Sequence, residues 1–427
     1  MVSASELENI RKAASACTYC GACQAVCPVF DKVGAEAACS RGRLLQLCIM
    51  AEGGIEPNAN LAESITRCAL CKACETACSS NIRTTELFMR FRRAVADHTP
   101  LPLAKRIAFT ALGYRRIFDF CLRMGAPFQK LLFKDALEGP GSFSRLPIPA
   151  AGLNKRRLIP KLSSRPLRSR VTPLTAPRGA KKMRVAFFPG CMLTYVYPEA
   201  GRAVVNVLAA LGMEVVLPNA IGCCGTPAIT SGDFAAGRTL AEMNVKALAA
   251  AGVEAVITAC ATCGTALNHE YGMVLDDSPY RESWERLKEH VYDFSDFIVK
   301  FGEIKNLLIM ERSVTYHDPC HLVRGMGVSA QPRQLLTAIP GLELREMKNA
   351  DRCCGCAGTF SAVHYDLSRE INDDKIANIR TTEAEIVATG CSACRMHIED
   401  GLSRNGLSNV RVLHTAQIIA KAMGCAN

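Results

Sequence analysis

From residue 185 onward, short runs of β-branched and aromatic residues alternate with longer stretches whose apolar positions recur at helical spacing. Four of the short runs, RVAFFPGC, EAVITAC, SVTYHDPC and AEIVATGC, read as strands that each deliver a cysteine. Between them, 198–211, 234–250 and 361–380 read as helices. Strands alternating with helices predict an open, mainly parallel α/β sheet. Cysteines that follow such strands fall in the loops at their carboxyl ends, where ligands collect. Upstream, 103–122 and 128–137 are apolar and basic at helical spacing. The longest uncharged run, 215–232, is broken by Pro218, Asn219, Gly222, Gly225 and Pro227. It cannot cross a bilayer as a helix, so any membrane contact is expected to be peripheral or made through a partner.

The pattern is duplicated. Cys191, Cys223–Cys224 and Cys260-x-x-Cys263 recur as Cys320, Cys353–Cys354 and Cys391-x-x-Cys394, at offsets of 129, 130 and 131 residues. Each doublet is followed by a glycine, Gly225 or Gly355. Four segments follow: 1–98 with eight paired-up cysteines, 99–184 helical and then linker-like, 185–312 as the first repeat and 313–427 as the second.

The first segment holds Cys17-x-x-Cys20-x-x-Cys23-x-x-x-Cys27-Pro28 and Cys68-x-x-Cys71-x-x-Cys74-x-x-x-Cys78. Such spacing lets one short loop present three thiolates to a cubane, while the fourth cysteine serves the neighbouring cluster. The expected sets are therefore Cys17, Cys20, Cys23 and Cys78 for one [4Fe–4S] cluster, and Cys68, Cys71, Cys74 and Cys27 for the other. Zinc is the competing reading; it leaves cysteines in each group without work, whereas two cubanes employ all eight. Ser79 stands where a second proline would follow the last cysteine, which alters no ligand. Cys39, Cys48, Cys121 and Cys425 read as core packing.

The chain has 427 residues, 23 of them cysteine, with 49% hydrophobic and 21% charged residues, a globular composition. The N-terminus lacks the apolar core of a secretory signal, so a cytoplasmic setting with reduced thiols is expected. In that setting clustered cysteines point to metal rather than to disulfides. The formal net charge of +11 equals the eleven Lys and Arg between 155 and 184, a proline-containing stretch with no acid. A solvated tether is its plainer reading. A docking strip for an acidic partner or an anionic lipid surface at the inner membrane face is the sharper one. No nucleic-acid recognition motif accompanies the charge.

The repeated C-x(31)-CCG-x(34)-C-x-x-C and C-x(32)-CCG-x(35)-C-x-x-C pattern resembles the paired cysteine-rich CCG domains. With the ferredoxin-like start, the whole chain looks like the iron–sulfur subunit of glycolate oxidase and D-lactate dehydrogenase, relatives of the heterodisulfide-reductase catalytic subunit. The resemblance implies a small helical two-cluster domain followed by duplicated open α/β domains. It also implies one or two further non-cubane [4Fe–4S] clusters, or zinc, at Cys191, Cys223, Cys224, Cys260 and Cys263 and at Cys320, Cys353, Cys354, Cys391 and Cys394. Cys356 has no assigned role; packing or hydrogen bonding around the second set is the expectation for His317, His321 and His397. No G-x-G-x-x-G fingerprint is present, so FAD is expected on a separate dehydrogenase subunit. Electrons would pass from that flavoprotein toward a quinone or another carrier; a disulfide reductase is the alternative, and a zinc-bound scaffold ranks third.

Overall fold

The computed structural model describes residues 4–114, 118–120, 124, 129–135, 141–145 and 157–426. The N-terminal part is helical. The helix Thr84–His98 buries Leu87, Phe88, Phe91, Ala94 and Val95 along one stripe, against Leu47 of Ser40–Ala51 and Ile65 of Ala59–Thr66. Asn58 starts the last of these by accepting a hydrogen bond from the Leu61 amide at 3.0 Å, the usual N-cap arrangement.

Three short strands come next: β1 (Phe133–Asp135), β2 (Gly141–Ser144) and β3 (Leu158–Pro160), joined as an antiparallel sheet in that order. Among the described residues, the helical pattern expected over 128–137 survives at Gln129–Leu132, while Phe133–Asp135 pairs with Ser142–Ser144. Cys121, and Lys155 and Arg156 of the basic stretch, lie outside the described residues.

From Arg157 on, the tether reading fails. Arg157 is buried and donates to the Ser361 carbonyl and hydroxyl, both at 3.0 Å. The Leu158 amide donates to Asp400 at 2.7 Å, and Arg168 donates to the carbonyls of Leu217 and Pro218. The guanidinium groups of Arg157 and Arg168 thus cap carbonyl groups of the two repeats and strap this part of the segment across both domains, while Lys161, Arg165, Arg178, Lys181 and Lys182 stay exposed.

The rest is two parallel sheets of matching design. The first contains β4 (Leu174–Thr175), β5 (Met183–Phe188), β6 (Met213–Val216), β7 (Ala255–Thr258) and β8 (Val291–Asp293), in the order β4-β6-β5-β7-β8 with only β4 antiparallel. The second contains β9 (Arg312–His317), β10 (Leu342–Leu344), β11 (Ile386–Thr389) and β12 (Arg411–His414), in the order β10-β9-β11-β12, all parallel. Leaving aside the edge strand β4, the orders are the same. In each sheet the chain leaves the central pair in opposite directions, so the crevice at the carboxyl ends of β5 and β7, or of β9 and β11, is a topological switch point. Among the described residues no helix is long and apolar enough to cross a membrane.

Candidate metal centres

The two N-terminal cysteine loops are conformational copies. Tyr19 and Gly21 in the first, and Leu70 and Lys72 in the second, all have left-handed backbone, at φ of 56°, 82°, 50° and 62°. Such values are strained for tyrosine, leucine and lysine. They curl each loop so that its cysteines face inward, and a short helix follows each, Ala22–Ala25 and Ala73–Thr76. Cys17, Cys20, Cys23 and Cys78, together with Cys74, line one cavity of about 30 Å³. Cys20 is exposed and the other three are half-buried.

Cys27 belongs with the other loop: its charged neighbours are Cys68 and Cys71, which also neighbour Cys74. Burial pushes the Cys27 thiol up to about 11 and the Cys74 thiol up to about 12. Backbone amides of Phe30 and Leu70 donate to the sulfurs of Cys27 and Cys68, each at 3.4 Å. A metal cation sharing the space would favour the thiolate form of Cys27 and Cys74, which is the chemistry of an iron-bound set.

The switch points collect the remaining cysteines. In the first repeat Cys223 touches Cys191 and Cys224, Cys224 touches Cys263, and Cys263 touches Cys260. In the second, Cys353 touches Cys320, Cys354 touches Cys394, and Cys394 touches Cys391. The electrostatics repeat with the geometry. Cys223 and Cys353 are pushed well above the thiol range by Cys191 and Cys320. Cys224 and Cys354 are held well below it by hydrogen bonds from Cys223 and Cys394. Close backbone approach is required here. Gly190 has φ +60°, and a Cβ there would stand 2.7 Å from the Cys263 sulfur. Asn244 and Asn372 donate to the carbonyls of Cys223 and Cys354, at 2.8 and 3.0 Å, and hold the doublets in their loops. Ten thiols in two sets of five, each doublet folded into its set, form a soft donor array suited to a multi-iron centre.

Three contacts between sets could not be read from the sequence. Cys23 and Cys74 are electrostatic neighbours across the two N-terminal sets. Cys71 is in hydrogen-bonding contact with Cys353, and Cys260 with Cys391. The four sets therefore adjoin end to end. Docking of the N-terminal part on the second repeat is fixed by ion pairs of Lys32 with Asp374 and Arg352 with Asp31, both at 2.7 Å. His321 adds a contact to the Leu70 carbonyl at 3.1 Å.

Among the cysteines read as packing, Cys39 is buried but not inert: its thiol contacts that of Cys23, which holds it down at about 6. Cys356 stands where the first repeat has Thr226, and burial pushes it up to about 12. Cys48 is half-buried, and Cys425 is buried in the core.

Comparisons with known proteins agree with this organisation. A family model described as "4Fe-4S dicluster domain" matches residues 13–82, and one described as "Cysteine-rich domain" matches 185–268 and 314–399. The "Probable glycolate oxidase iron-sulfur subunit" of Bacillus subtilis is 31% identical over 419 residues, covering 96% of this chain and 94% of that protein. "Lactate utilization protein A 2" of Bacillus cereus is 31% identical, over 56% of this chain and 99% of its own length. One of the subunits of the CoM/CoB fumarate reductase of Methanothermobacter marburgensis is 35% identical over 56% of this chain and 46% of its length. A hypothetical protein from Helicobacter pylori of known structure shares the fold, with a TM-score of 0.51 at 11% identity over 90% of this chain and 68% of that one.

Proposed function

The chain belongs to the family of glycolate oxidase iron–sulfur subunits, and from that premise we propose that it relays electrons from a flavoprotein that oxidises a 2-hydroxy acid, glycolate or D-lactate, toward a quinone or another carrier. It is an iron–sulfur electron-transfer subunit of an oxidoreductase. The finer reading is supported by one observation above all: the thiol sets form a continuous row, through Cys23 and Cys74, Cys71 and Cys353, and Cys391 and Cys260.

Cys17, Cys20, Cys23 and Cys78 would hold one [4Fe–4S] cluster, and Cys27, Cys68, Cys71 and Cys74 the other. The two sets of five would hold further iron–sulfur centres. When bound, such groups accept and release single electrons, whereas a 2-hydroxy acid gives up a pair; a flavin on the partner subunit converts one into the other. The chain's own residues hold these groups close together and apart from water. Of the ten thiols in the two sets of five, eight are buried, and only Cys191 and Cys320 are half-buried. At the far end of the row, Cys20 is exposed. The row thus reaches the surface at the first loop and near Cys191, two places where redox partners could meet it.

The test is anaerobic purification of the chain with whatever binds it, followed by addition of glycolate, D-lactate and glycerol 3-phosphate. The proposal expects a flavoprotein to copurify, one 2-hydroxy acid to bleach the iron–sulfur absorption, and a quinone to restore it. If no flavoprotein copurifies and no hydroxy acid reduces the centres, the proposal fails. Reoxidation by a disulfide and not by a quinone would favour the disulfide reductase.

A further inference from the structure

The two repeats share a fold, but their centres are not furnished alike. Strand β5 ends at Phe188, paired with Thr258 of β7; strand β9 ends at His317, paired with Thr389 of β11. The same register position thus carries a phenyl ring in one sheet and an imidazole in the other. A second difference lies three residues past the last cysteine of each set, where the first repeat has Ala266 and the second has His397. Packing alone does not call for an imidazole at the strand end, since phenylalanine fills the equivalent place.

His317 is wholly buried, at 0% exposure. Neither of its ring nitrogens meets a nitrogen or oxygen partner among the described residues, and the polar group facing the ring is the Cys354 thiol. Buried polar atoms are rarely left so, because desolvation then goes uncompensated. What surrounds the ring instead is sulfur: a His317 nitrogen and the sulfurs of Cys354 and Cys394 all lie within 4.8 Å of one another. Donors on a shared metal stand ~3.5 Å apart, given bond lengths of 2.0–2.3 Å, so a small inward shift closes the three onto one ion. Among the described residues no other histidine is grouped with cysteines at that range. His397 is differently placed: its Nε2 lies 3.0 Å from the Ser368 hydroxyl.

We infer that His317 is a metal ligand of the second cysteine-rich centre, beside Cys354 and Cys394, and gives that centre a nitrogen donor which the first centre lacks. The inference rests on the proposal that the second set holds an iron–sulfur centre. It goes beyond the expectation that His317 serves packing or hydrogen bonding. A neutral nitrogen donor added to the five thiols changes the ligand set of that centre, and the potential of an iron–sulfur centre follows its ligands. The two centres of this duplicated protein then differ in ligand set and so in potential, the second standing next to Cys71.

The full-length protein, prepared anaerobically with ¹⁵N-labelled histidine and reduced with dithionite, is examined by pulsed EPR. The expected result is the strong nitrogen hyperfine coupling of a directly bound imidazole in the wild-type protein. That coupling is lost in His317→Phe, which installs the first repeat's residue, and kept in His397→Ala. In His317→Cys the midpoint of the same centre moves to lower potential. A second centre that contains iron and shows no nitrogen coupling, or only the weak coupling of a hydrogen-bonded ring, overturns the inference and leaves the iron–sulfur reading standing. If Cys354→Ala removes no iron, that underlying reading fails first, and the inference falls with it.

Discussion

Replacing Cys27 by alanine is expected to strip the cluster of the second loop and spare the cluster of its own loop. Cys27 stands at the start of the helix Pro28–Val33, and the thiols that act on it are Cys68 and Cys71. The cavity of the first loop is lined by Cys78 instead. The variant should lose about four irons per chain, one cubane's worth. Double variants identify which cluster has gone. Cys27→Ala with Cys71→Ala should lose no more iron than Cys27→Ala alone, because both strike the same cluster. Cys27→Ala with Cys20→Ala should lose both clusters, about eight irons. Metal analysis and EPR of the reduced proteins read the result. If the Cys20 combination loses no more iron than Cys27→Ala, the crossed arrangement is wrong.

Arg92→Leu is expected to destabilise the folded holoprotein by about 3 kcal/mol or more. Arg92 is buried on the helix Thr84–His98, and burial lowers its guanidinium to about 10, still charged at neutral pH. It donates to the carbonyls of Thr230 at 2.6 Å, Cys68 at 2.7 Å and Ile65 at 2.9 Å. One side chain thus ties a cysteine loop to the first repeat. Leucine removes every one of these donors, and each orphaned buried carbonyl costs ~1–3 kcal/mol. Beside it, Gly232 has φ +92°, and a Cβ there would stand 2.6 Å from the Arg92 carbonyl, so the helix and the first repeat meet backbone to backbone at this point. Arg92→Lys should recover less than half of the loss, since an ammonium cannot reach carbonyls on both sides as the planar fork does. Urea unfolding under anaerobic conditions measures the difference. A loss below about 1 kcal/mol for Arg92→Leu would mean the carbonyls find other partners.

How legible these features were depended on how local they are. The thiol sets could be proposed because three members of each N-terminal set lie in one loop, and each set of five lies in one repeat that occurs twice. The strand–helix alternation was readable for the same reason: RVAFFPGC and SVTYHDPC advertise β5 and β9 through their own residues. The strap from Arg157 was not readable, because its hydrogen bonds go to Ser361 and Asp400, more than two hundred residues away. Phe133–Asp135 carries a helical pattern and becomes a strand only because Ser142–Ser144 pairs with it. The contact of Cys71 with Cys353 depends on how the N-terminal part docks, through pairs such as Lys32–Asp374 that no spacing rule encodes. His317 was within reach: setting the repeats against each other places it opposite Phe188, a substitution of chemistry at a position of fixed geometry.

Everything turns on whether the thiol sets of the repeats hold iron next to the N-terminal clusters. The most direct measurement is an anaerobic iron count joined to EPR of the fully reduced full-length protein. The account predicts clearly more than about eight irons per chain, the content of two cubanes, with spectra broadened by magnetic interaction between adjoining centres. About eight irons, zinc in the repeats and the unbroadened signals of two isolated clusters would contradict it.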